Sequence, residues 1–170
     1  MNLIPAAPVW LIVLFGLTMV AAAIEDAWRL RISNITSVLV IIGAIAGAII
    51  EGPSLDLWQN VVVLMAILLL GTIAFSAGWL GGGDVKLFAA AGLWFDLRSA
   101  VWFVALTFLA GGIVAVGYLL SRPFRRTKKA RVPYGVAIAL GALAMMLAGR
   151  GTFAHHERPL PPISLTLHRG

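Results

Sequence analysis

A chain of 170 residues that is 61% hydrophobic and 12% charged, with a mean hydropathy of +0.97, is too apolar for a soluble domain, where about 45–50% of residues are apolar and about 25% charged. It reads as an integral membrane protein, with room for one compact bundle of helices at roughly 20 residues per crossing. With no cysteine it has no disulfides, no thiol catalysis and no cysteine zinc site; its net charge of +6 does not indicate nucleic acid, because the basic residues concentrate in short segments between apolar runs.

The first apolar run, Ala6–Glu25, ends on two carboxylates, Glu25 and Asp26. A charge placed where apolar chain meets the membrane surface is expensive and marks a candidate functional residue. Successive helical residues point about 100° apart, so Glu25 and Asp26 cannot face the same partner. Ala21-Ala22-Ala23 looks like a signal-peptide cleavage site, but Met1 to Val9 carries no basic side chain, as such a segment would need.

Arg29 and Arg31 follow, then a second run at Asn34–Ile50. Asn34 is expected either to cap this helix or to stay near Asp26. Gly43 and Gly47 form a small-xxx-small pattern suited to close helix packing. The third run is Trp58–Ala77. Beyond it stands Gly81-Gly82-Gly83-Asp84-Val85-Lys86, leading into a short fourth run, Val85–Phe95. Glycines here let the chain turn sharply or let another backbone come close. Asp84 is either the N-cap of the short helix or one half of a carboxylate pair. Lys86 either snorkels to headgroups or orients a substrate.

Eleven residues at about 1.5 Å each cover little more than half of a ~30 Å hydrocarbon core, so the fourth segment is either a short, protein-lined crossing or re-entrant. The fifth run is Ala100–Leu120. A basic cluster, Arg122–Arg131, follows it, an orientation signal that also attracts anionic lipid. Pro133-Tyr134-Gly135 opens the last run, Val132–Ala148. Pro133 suits a first helical turn, and Tyr134 is either an interfacial aromatic or a hydrogen-bond donor to the site. Residues 149–170, with His155 and His156, are expected to form an irregular tail outside the membrane domain of residues 1–148; two adjacent histidines there make a poor metal site.

Six crossings with both termini outside place nine of the 13 basic residues inside, as the positive-inside rule requires. Were the fourth run re-entrant, the Arg122–Arg131 cluster would face outward. The expected fold is therefore an all-α polytopic bundle of about six transmembrane helices, with the fourth short. This topology puts Asp26 and Asp84 on one cytoplasmic face. Two carboxyls sharing a site cannot both ionise cheaply, so one keeps its proton. The ionised partner then takes a proton from water while the protonated one hydrogen-bonds a scissile carbonyl. This is the equipment of an aspartic protease and needs neither metal nor cofactor. The competing class is a transporter or channel component using the same aspartates for cations or protons, which would favour carboxylates near mid-membrane.

The motifs resemble those of type IV prepilin peptidases. Asp26-Ala27-Trp28-Arg29-Leu30-Arg31-Ile32-Ser33-Asn34 is similar to the family's first-aspartate segment, Gly81-Gly82-Gly83-Asp84-Val85-Lys86 to its Gly-x-Gly-Asp motif, and Val132-Pro133-Tyr134-Gly135 to its Pro-Tyr/Phe-Gly element. The resemblance covers residues 10–148. It implies that Asp26 and Asp84 are the catalytic pair, that Gly81 and Gly83 shape the second motif, and that the substrate is a pilin-like precursor with a short basic leader. Ser33 departs from the proline usual there. The small form resembles Flp/Tad-type peptidases, or less specifically archaeal preflagellin peptidases, with no methyltransferase activity expected.

Overall fold

The computed structural model describes residues 1–52, 54–121 and 133–153. The basic cluster at 122–131 and the tail with His155 and His156 lie outside the described residues. Among those described the chain forms seven helices and no strand: α1 (Leu3–Ala6), α2 (Val9–Arg29), α3 (Asn34–Glu51), α4 (Leu57–Ser76), α5 (Gly82–Gly92), α6 (Leu97–Ser121) and α7 (Tyr134–Phe153). The protein is an all-α membrane bundle. α2, α3, α4 and α6 are long and apolar enough to cross a bilayer, and α7 contributes the shorter apolar segment Tyr134–Gly149. These helices carry exposed Leu17, Ile42, Leu69 and Phe108 on their outer faces, as lipid in place of water permits. The last helix continues to Phe153 rather than stopping at Ala148.

The short α5 is the axis of the bundle. It packs against α3, α4 and α7, and Val85 and every residue from Leu87 to Gly92 are buried. With that burial and those neighbours, α5 is lined by protein rather than lipid over most of its surface. It runs antiparallel to α4 from one end to the other. Gly82, at its start, lies beside Phe75 in the last turn of α4; at its end the Leu93 carbonyl accepts from Asn60 Nδ2 at 2.9 Å, in the first turn of α4.

What α5 lacks in length is made up by α1, which folds over its C-terminal end. Leu3 N–H donates to the Trp94 carbonyl at 2.9 Å, Asn60 Nδ2 also donates to the Met1 carbonyl at 2.9 Å, and Asn2 Nδ2 donates to Ser99 Oγ at 3.0 Å. Helix ends leave carbonyls without partners, and these would be costly inside a membrane protein; here α1 and Asn60 supply the donors. The core beneath is aromatic: Phe15 stacks on Trp94 with centroids 4.5 Å apart, and Phe103 meets both Phe88 and Phe95. Trp94 is wholly buried and donates through Nε1 to the Val40 carbonyl at 3.0 Å.

The small-residue pattern on α3 packs helix against helix. Gly43 lies against the Trp94 ring, where an added Cβ would sit 2.9 Å from Cζ2, and Gly47 lies against Leu11, Ala7 and Leu3.

Candidate active site

Three chain turns meet at one end of the bundle: the exit from α2, the glycine run before α5, and the start of α7. Ile32 is the point they share. It is buried, and added methyl groups on both Gly83 and Gly135 would collide with it. To reach this position the chain leaves α2 abruptly. Leu30 adopts a left-handed conformation (φ 51°) while its N–H donates to the Asp26 carbonyl at 2.8 Å. A non-glycine residue there costs roughly 1–2 kcal/mol.

Asp26 is buried in the last turns of α2, with 3% of its surface exposed. Its Oδ2 accepts from Gly135 N–H at 2.7 Å, and Val136 N–H also donates to the carboxyl. Both donors belong to the first turn of α7, where backbone N–H groups have no partner within the helix. Gly135 is obligatory for this approach: an added Cβ would lie 2.9 Å from both Asp26 Cβ and Oδ2 and 2.6 Å from Ile32 Cδ1.

Asp84 is half-buried in the first turn of α5. It is not the N-cap; that position falls to Gly81, whose N–H donates to Asp84 Oδ2 at 3.0 Å. The carboxylate thus reaches back from the third helical position, one arm of a capping box. Of the two roles expected of the glycines, close approach of another backbone holds and the sharp turn does not. Gly81 has φ −79° and ψ 150°, an ordinary extended conformation, and Gly82 and Gly83 are helical. What they supply is space. A Cβ on Gly81 would meet Asp84 Oδ2 at 2.8 Å, and one on Gly83 would meet the Ile32 carbonyl at 3.0 Å. The sharp turn is made earlier, at Gly78, with φ 76°.

Asp26 and Asp84 line one cavity of about 440 Å³, which Tyr134 and the glycines at 81, 82 and 83 also line. Phe75, Trp79 and Leu80 add apolar wall, and Arg31 is the basic residue in the lining. The geometry thus brings together both aspartates, Gly81, Gly83 and Tyr134. It leaves Lys86 and Asn34 outside the lining, joined to each other by Nζ to Oδ1 at 3.1 Å, a tie between α5 and α3. Asn34 is not the cap of α3. Ser33 is, its Oγ accepting from Ile35 N–H at 3.2 Å; with Asn34 as the first helical residue, its side chain is free to reach Lys86. Pro133 stands half-buried just before α7, outside the lining.

Glu25 faces away from Asp26, as helical spacing requires, but it is not idle. Its Oε2 accepts from Ser33 N–H at 3.1 Å and from Thr36 Oγ1 at 3.4 Å. The carboxylate therefore braces the turn that carries Ile32. Sequence reasoning missed this brace and the apolar wall of Phe75, Trp79 and Leu80. The one available signal was Ser33: a proline there would have no N–H to give.

Neither a curated relative nor a solved structure matches the chain. A family model, that of the type IV leader peptidase family, matches residues 12–116. This stretch runs from the first transmembrane helix through both aspartates and most of α6. The chain belongs to the type IV leader peptidase family.

Proposed function

We propose that this leader peptidase is an aspartic endopeptidase whose catalytic pair is Asp26 and Asp84, acting from a membrane domain of residues 1–148. Its substrate is a pilin-like precursor of the Flp type, and it removes the short basic leader at the cytoplasmic face. The observation that carries this reading is that two aspartates from distant helices line a single cavity. A water held between the two carboxyls loses its proton to one of them while the other hydrogen-bonds the scissile carbonyl. The tetrahedral intermediate collapses when a proton is returned to the leaving amine. Asp26 is held by α7 and Asp84 by its own helix start, so neither has to be organised by substrate, which is the advantage of a preformed site. Glu25, Asp26 and Asp84 give this end of the bundle its acidic side chains among the described residues, suited to attracting a basic leader.

A transporter using the same carboxylates would need a polar lining continuing inward. Below Asp26, α2 instead presents Ala22, Met19 and Phe15, all buried in the apolar core. The test is cleavage of a precursor by purified Asp26→Asn and Asp84→Asn proteins. Both should accumulate in the membrane and lose cleavage to background, because Asn keeps the shape of Asp but cannot exchange a proton. Cleavage near the wild-type rate by either variant refutes the pair.

A further inference from the structure

A second cavity, of about 430 Å³, lies beside the first, between the α4–α5 pair and the α6–α7 pair. Its walls are mainly apolar, with Leu70 from α4, Phe88 from α5, Phe108 and Ala115 from α6 and Ile138 from α7, and Thr107 of α6 is a polar member. Leu70 and Phe108 are 66% and 69% exposed on the outer surface, whereas Phe88 is buried at 8%, so the recess runs from the lipid-facing side into the bundle. Trp79, Leu80 and Tyr134 line both this cavity and the one that holds the aspartates. The two spaces therefore adjoin. At Gly112, also in the wall, an added Cβ would meet nothing within 4 Å.

We propose that this recess seats the start of the precursor's apolar helix, the segment that follows the bond cut at Asp26 and Asp84. The inference rests on the leader-peptidase reading and extends it to the part of the substrate that is not removed. An extended residue spans at most about 3.6 Å, so within a few residues of the scissile bond the substrate must leave the aspartate cavity through a space next to it. Its apolar part must then enter the bilayer. The recess meets both requirements, since it shares walls with the aspartate cavity and opens to lipid. Apolarity alone does not drive helix association in lipid; close packing does, and small residues at the contact allow it. Gly112 and Ala115 provide such a surface on α6, with Leu70 and Phe108 as flanking walls. The competing occupant is a lipid acyl chain.

The probe is a synthetic precursor with a basic leader ending in glycine before an apolar helix, paired with a companion whose apolar segment is replaced by a serine- and glycine-rich one. Gly112→Leu and Ala115→Leu fill the recess away from the aspartates. They should raise KM for the apolar precursor about tenfold, equivalent to about 1.4 kcal/mol, and leave cleavage of the companion unchanged. An equal effect on both probes, or on neither, overturns the proposal. Photocrosslinking decides independently of turnover. A benzophenone side chain replacing Ala115 should capture the precursor's apolar segment, and one replacing Ile45, exposed on α3, should not. Capture of lipid alone at position 115, or equal capture at both positions, refutes the recess even if the precursor is cut. Capture at position 115 alone by a protein that never cuts supports the recess and counts against the protease reading.

Discussion

At the residue scale the arrangement depends on contacts with no spare room. Gly135 places its N–H 2.7 Å from Asp26 Oδ2, and a methyl group there would enter the same space. Gly135→Ala should therefore push α7 away from α2 and reduce cleavage at least tenfold, while overpacking costs about 1–3 kcal/mol of stability. Parallel assays of turnover and thermal unfolding in detergent would check both. Glu25 gives the complementary case, where chemistry matters more than volume. Glu25→Gln keeps an oxygen for Ser33 N–H and Thr36 Oγ1 and should be tolerated. Glu25→Ala leaves the Ser33 N–H unsatisfied and should cost about 1–3 kcal/mol. Ser33→Pro removes that donor, so the cost of Glu25→Ala should shrink in the Ser33→Pro background. Equal costs in the two backgrounds, measured by a double-mutant cycle, would show that the brace does not exist.

At the element scale the notable feature is a helix too short to cross unaided. α5 has 11 residues, roughly 16 Å of helix, and carries Asp84 at one end. Its other end is fastened by Asn60 and α1, so the position of Asp84 depends on contacts made at the far side of the bundle. Asn60→Leu keeps the branched side-chain outline, with somewhat greater bulk, but cannot donate to the Leu93 and Met1 carbonyls. It should lower stability by about 1–3 kcal/mol for each carbonyl left without a donor, read as a drop in Tm, and should lower the cleavage rate although residue 60 is far from the cavity. A variant that unfolds like wild type would mean that α5 is held by side-chain packing alone. α6 and α7 show the same reliance on close approach, since an added Cβ at Gly141 would run into Thr107.

At the scale of the whole molecule the expected orientation has a direct test. In a chain with no native cysteine, single cysteines at Arg31 and Trp79, which line the aspartate cavity, should resist a membrane-impermeant thiol reagent in intact cells. One at Leu55, 97% exposed before α4, should react. The reverse pattern would open the cavity to the outside and remove the case for cytoplasmic cleavage. The sequence by itself determined six of the seven described helices and their order, because a membrane crossing must satisfy its backbone hydrogen bonds internally and so is written in a contiguous apolar run. It also pointed to Asp26 and Asp84, because a carboxylate ending such a run is costly. Only the tertiary structure decided what holds them. Asp26 is fixed by a backbone N–H 109 residues away, the glycines before Asp84 serve close approach rather than unusual backbone angles, Ser33 rather than Asn34 caps α3, and α1 completes the short helix. Each of these depends on distances between segments remote in sequence. Such distances are set by which side chains interlock when the helices pack, and no local pattern of residues encodes them.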